Sequence, residues 1–189
     1  MAWSDFIRRR ERTRTTTVGV AGPLAQAIVE STNVLLDRLR AEGFGWQDPT
    51  RAGGDECLLE CTIFEWFLRD VEIGLGFGAK AESIRRALAG RVLVELQRSG
   101  LSLASFHDFT GRYRDRFIEY QEALGASSSL QPLGSVVWRR ISGGGEPSER
   151  MTMLLAMRAT AELASLRGLA AAYRVVAMAP SPRLPGVDS

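Results

Sequence analysis

The sequence predicts an all-α, single-domain bundle of five to six helices. A basic amphipathic segment (1–17) precedes the bundle (18–179), and a disordered tail (180–189) follows it. Three observations carry this reading. Apolar residues recur every three or four positions in successive stretches, the spacing that places them on one helix face. Clusters of Gly, Pro and Ser separate those stretches. No run of strands, β-α-β alternation or internal repeat is visible. At 189 residues the chain fits one domain, against a usual size of about 150 residues.

The elements follow in order. In 1–17, Trp3, Phe6 and Ile7 have helical spacing, and Arg8, Arg9, Arg10, Arg12 and Arg14 face only Asp5 and Glu11. Thr15–Thr16–Thr17 then lowers helix propensity by β-branching. Residues 24–40 form an amphipathic helix with Leu24, Ile28, Leu35 and Leu39 as its stripe, stopped by Gly43. A long loop, 43–54, holds Trp46 and Pro49. Asp55 caps a helix over 56–73, ended by Gly74, Gly76 and Gly78. A third helix, 79–98, carries Ile84, Leu88, Val92 and Leu96. The fourth begins at a cap on Ser102 or Ser105 and runs to Leu124. Its row of Phe106, Phe109, Tyr113, Phe117, Tyr120 and Leu124 is the cleanest stripe in the chain. Residues 135–141 form a short helix or a strand, and three consecutive glycines make 142–147 a connector. The longest helix is expected over 148–178, capped by Ser148 and lined by Met151, Leu155, Leu166 and Tyr173.

Composition excludes several chemistries. Lys80 is the sole lysine and every other basic residue is Arg, which stays charged and cannot act as a catalytic amine. His107 is the sole histidine, and Cys57 and Cys61 are the sole cysteines, so a four-cysteine zinc site cannot form within one chain. Ferritin-like metal pairs need Glu-x-x-His on two helices; the chain has none. The run from Gly74 to Lys80 lacks both the preceding strand and the Ser or Thr after Lys that a phosphate loop needs. It reads as a helix–helix turn. No stretch of 18 apolar residues is free of charge, so no transmembrane helix is expected. The N-terminus makes a poor export signal, and a cytoplasmic location is the expectation.

Candidate functional residues are few. On the 56–73 helix, Glu56, Glu60 and Asp70 fall on the apolar side, while Thr62, Glu65, Arg69 and Glu72 make what reads as a normal solvated face. Carboxylates on an apolar side must be paired or hydrogen-bonded. Two outcomes are open: a carboxylate cluster for acid–base or metal chemistry, or pairing with Arg85, Arg91, Arg112 or Arg116. Cys57 and Cys61 share a helix face and read as small buried hydrophobes. His107 reads as a surface or capping histidine. Arg112, Arg114 and Arg116 alternate with Tyr113 and Phe117, but spacing by two spreads them around a helix and gives no single strip for nucleic acid.

The run Glu60, Phe64, Phe67 and Asp70, then Ile84, Leu88, Val92, Leu96 and Gly100, then Phe109, Arg116 and Glu119–Tyr120 resembles a pattern in uncharacterised all-helical bacterial proteins. Those show Glu–Phe–Phe–Asp on one helix and an Arg-x-x-Glu-Tyr ending on a later one. The resemblance covers the middle third of the chain. It implies a helical bundle and brings no activity with it.

The functional expectation is a non-enzymatic protein-protein interaction or assembly protein, without cofactor and without a metal. Its partner is another protein or a second copy. Contacts are expected from Trp3, Phe6, Arg8, Arg9, Arg10, Arg12 and Arg14, with Trp46 and Trp138 as further candidates. One alternative is a helix-bundle enzyme or metal protein using Glu56, Glu60 and Asp70. Another is nucleic-acid binding through the N-terminal arginines.

Overall fold

A computed structural model describes residues 13–44, 53–98, 103–146, 148–165 and 173–175. Among these, six α-helices form the all-α bundle: α1 (Thr17–Ala41), α2 (Gly53–Phe77), α3 (Ala81–Arg98), α4 (Leu103–Gly125), α5 (Gln131–Ile141) and α6 (Glu149–Ser165). A 3-10 turn, Gly78–Lys80, joins α2 to α3. Two three-residue strands, β1 (Thr13–Thr15) and β2 (Tyr173–Val175), pair in parallel with Arg14 opposite Arg174.

Helix α1 starts earlier than its apolar stripe suggests. Thr16 is the N-cap, accepting a 3.1 Å bond from the Gly19 amide, so the threonine run launches the helix. Pro23 lies inside α1. It removes one amide donor, and Gly22 before it has no Cβ to clash with the ring. The far end stops as expected at Gly43, at φ +83°. The expected stripe is the buried one: Leu24, Ile28, Leu35 and Leu39.

Helix α2 departs more from expectation. It begins at Gly53, which puts Asp55 inside it, and it runs through Gly74 and Gly76 to Phe77. Gly78, at φ +51°, is the glycine that breaks it. Helix α2 packs on α1, α3, α4, α5 and α6. Every residue from Leu59 to Asp70 is buried. The face of Thr62, Glu65, Arg69 and Glu72, expected to meet water, is interior. The spacing assigned these residues correctly to one side, but α6 covers that side.

Helix α5 extends from Gln131, with Pro132 in its first turn where the missing amide costs nothing. It lies close on α6 at Gly134, where an added Cβ would strike the Thr152 carbonyl oxygen. Trp138, considered above as an exposed contact, is buried. Its ring meets Phe44 edge-on at 4.8 Å, and its Nε1 donates to the Glu146 carbonyl at 3.1 Å. Ser148 caps α6 by accepting from the Met151 amide. The expected helix over 148–178 is not continuous, since Tyr173–Val175 is extended and paired with β1. This is a single short pairing, not the run of strands whose absence the sequence indicates. It involves three residues a side, and the fold remains helical.

Candidate functional site

The three carboxylates singled out in the sequence do not converge. Glu56 is 57% exposed and accepts from Arg112 Nη1 at 2.9 Å. Glu60, 4% exposed, takes three bonds of 3.0 Å from Nε and Nη2 of Arg116. Both partners come from α4. Asp70 turns instead to α3, where Arg85 Nε and Nη2 donate at 2.7 and 2.9 Å. Arg85 Nη2 also reaches the Asp70 carbonyl at 3.2 Å. Burial raises the Asp70 pKa, and the Arg85 hydrogen bond and charge oppose that rise. Arg91, the fourth partner considered, lies exposed on α3. Among the described residues no group of three or more His, Cys, Asp or Glu is placed to hold a metal ion.

A larger charged cluster lies between α2 and α6. Arg158 of α6 donates to both oxygens of Glu65, from Nε at 2.8 Å and from Nη2 at 2.9 Å. Its Nη1 also meets Glu162, one turn further along α6. Arg69 of α2 reaches Glu162 at 2.9 Å through Nη2 and Glu72 at 3.3 Å through Nη1. Burial raises the pKa of Glu65 and of Glu72, in each case against a guanidinium that lowers it. A signal for this cluster was present in the sequence. Arg158 and Glu162 interrupt an otherwise apolar stretch at i, i+4, and a charged pair there requires a charged counterpart on a facing helix. Helix α4 is tied to α5 similarly, with Arg140 of α5 donating two 2.9 Å bonds to Glu119.

The remaining candidates are absorbed by packing. Trp66, Phe67 and Phe64 of α2 interlock with Phe109, Tyr113, Phe117 and Tyr120 of α4. Trp66–Tyr113 is the closest of these contacts at 4.0 Å, and Phe67–Phe117 is edge-on at 5.3 Å. The rings that alternate with Arg112 and Arg116 are thus turned into the core, away from any base that could stack on them. Cys57 and Cys61 are free, buried thiols with sulfurs 3.8 Å apart, and burial pushes the Cys61 thiol up, opposing the thiolate a metal or nucleophile requires. The candidate contacts Trp3, Phe6, Arg8, Arg9, Arg10, Arg12 and Trp46 lie outside the described residues. Arg14 is placed by its backbone, in β1. The His107 side chain also lies outside the description.

One surface feature was missed in the sequence. Met153 and Met157 stand one turn apart on α6, 39% and 66% exposed. They border two depressions. One, of about 530 Å³, is lined by Arg38, Ala41 and Glu42 of the α1 end and by Arg150 and Leu154 of α6. The other, of about 660 Å³, is lined by residues 128–131 with Ala156 and Thr160. No helix among the described residues is long and apolar enough to cross a membrane. Compared with protein-family models, curated proteins and solved structures, the chain has no match in any of the three.

Proposed function

We propose that this chain is a non-enzymatic interaction or assembly protein that docks another helix-bearing protein, or a second copy of itself, by helix packing. One observation carries the reading. Two of the large apolar side chains exposed among the described residues, Met153 and Met157, stand one turn apart between two depressions, and flexible, polarisable methionines suit a surface that must accommodate a partner. The charged residues support it from the other side. Glu60, Glu65 and Asp70 each accept paired guanidinium bonds from a neighbouring helix, which suits them to holding helices together.

Light scattering of the full chain across concentration, with a pull-down from lysate and identification of the captured protein, tests this proposal. The expected result is a concentration-dependent oligomer or a defined captured protein, lost in Met157→Glu while the helical content stays unchanged. A strict monomer at every concentration with no captured protein overturns it. So does an association that Met157→Glu leaves intact.

A further inference from the structure

The Glu72 carboxyl lies in a position that an ionised group occupies poorly. Its side chain is 1% exposed. One oxygen, Oε2, accepts a single bond of 3.3 Å from Arg69 Nη1, at the long limit for such a contact. The other, Oε1, is buried without a hydrogen-bond partner, as is the Nε of Arg69. The same Arg69 guanidinium spends its shorter bond, 2.9 Å, on Glu162 of α6. Glu65, two turns earlier on the same face, shows the contrast: two bonds of 2.8 and 2.9 Å fill both of its oxygens. A buried carboxylate with one long bond and one bare oxygen is costly, and such a group sheds its charge by taking up a proton.

We infer that Glu72 is a proton-binding site that couples pH to the contact between α2 and α6. In the folded chain its carboxyl is neutral, and Arg69 is left to Glu162. Ionisation places two carboxylates, one from each helix, on a single guanidinium and weakens that contact. The charged groups around it are Arg69 and Glu65 of α2 and Glu162 and Arg158 of α6. The buried face of α1 contributes apolar residues and Thr32, its Glu30, Asp37, Arg38 and Arg40 being exposed. The charges of α3, α4 and α5 nearest to α2 are committed elsewhere, Arg85 to Asp70, Arg116 to Glu60 and Arg140 to Glu119. Burial raises the Glu72 pKa from its ordinary 4.5, in the same direction as the geometry. The sign follows. A carboxyl with a raised folded pKa gives stability that is fully present below pH 4.5 and lost as pH rises through the folded value.

The test compares urea unfolding of the wild-type chain and of Glu72→Gln from pH 5 to 8.5. Glutamine imitates the neutral acid. The expected result is a wild-type folding constant that falls relative to the variant by up to about tenfold per pH unit through the titration, with the variant at least as stable at pH 8. A variant weaker than wild type by a constant factor at every pH overturns the inference, because it shows an ionised Glu72 held by Arg69. Carbon-13 NMR titration of the Glu72 side chain in the wild-type chain decides independently, including the case where the variant does not fold. A resonance titrating well above 4.5 supports the site, and one titrating at or below that value overturns it.

Discussion

Helices α1 and α2 are each 25 residues long, and they solve the problem of charge differently. Helix α1 has a buried stripe and an exposed back. Its Glu30, Asp37, Arg38 and Arg40 stand in water, and Asp37 meets Arg40 with side chains 74% and 59% exposed. Helix α2 has almost no back. Five other helices cover it, and Glu60, Glu65, Arg69, Asp70 and Glu72 are inside with the aromatics. On α1 a charge solvates a surface. On α2, Glu60, Glu65, Arg69 and Asp70 must each find an opposite charge, which makes the ion pairs part of how α3, α4 and α6 are positioned. Desolvation offsets much of what such pairs gain, so their effect on net stability is small while their effect on being broken is large. The comparison therefore predicts an uneven response to mutation.

The largest effect is expected at Arg158. Removing it by Arg158→Ala strips Glu65 of both its hydrogen bonds in the interior and takes one partner from Glu162. The expected loss is about 3–5 kcal/mol, the usual result of leaving a buried charge alone. Urea unfolding at neutral pH measures it. A loss below about 1 kcal/mol would mean that water reaches Glu65 and that α2 is not enclosed as described.

A steric prediction comes next. Gly134 sits where α5 crosses α6, and a methyl group there meets the Thr152 carbonyl oxygen and crowds the Ala156 amide. Backbone cannot yield as a side-chain tip can, so Gly134→Ala must push the two helices apart. A destabilisation of about 1–3 kcal/mol is expected, read as a lowered Tm. Gly90 on α3, with open space at its Cβ position and no proline after it, is the control. Ala there is expected to be neutral or stabilising.

These two sites show what could be read in the sequence. The bundle and the buried rows were legible: Leu24, Ile28, Leu35 and Leu39 on α1, and Ile84, Leu88, Val92 and Leu96 on α3, are all in the core. Periodicity reports the angle of a side chain about its own helix. It does not report what lies beyond, so Glu65 and Arg69 looked solvated until α6 was placed against them. Parallel pairing of β1 with β2 joins opposite ends of the described chain and depends on neither local pattern nor local propensity; the alanines before Tyr173 favour helix. Exposure at the Met153–Met157 face is hidden for a similar reason. Met151, two residues before Met153, is buried, and nothing in residue type separates it from the exposed pair.

A smaller effect is expected at the start of α1. Thr16→Ala removes the hydroxyl that accepts from the Gly19 amide and leaves an orphan donor at an exposed helix end. About 1 kcal/mol is the expected cost. Thr16→Ser, which keeps the acceptor, should recover most of it in the same thermal unfolding assay. No recovery would mean that the cap contributes through its methyl packing.

The smallest effect is expected at Asp37–Arg40, and it is the one that best sharpens the contrast between α1 and α2. The pair is a 3.1 Å contact at i, i+3, formed on the solvent side in the last turns of α1. Single substitutions would mix the pair with the interaction of Arg40 and the helix carbonyl end, which favours a cation there regardless of Asp37. A double-mutant cycle, Asp37→Ala with Arg40→Ala, isolates the pairwise coupling. It should be about 0.2–0.5 kcal/mol and should shrink in high salt, because water and counter-ions screen both charges. The same cycle on Glu65 and Arg158 should give a coupling several times larger that changes little with salt, since both side chains are largely withdrawn from water. Equal couplings with equal salt dependence would erase the distinction between the helices and with it the enclosed position of α2.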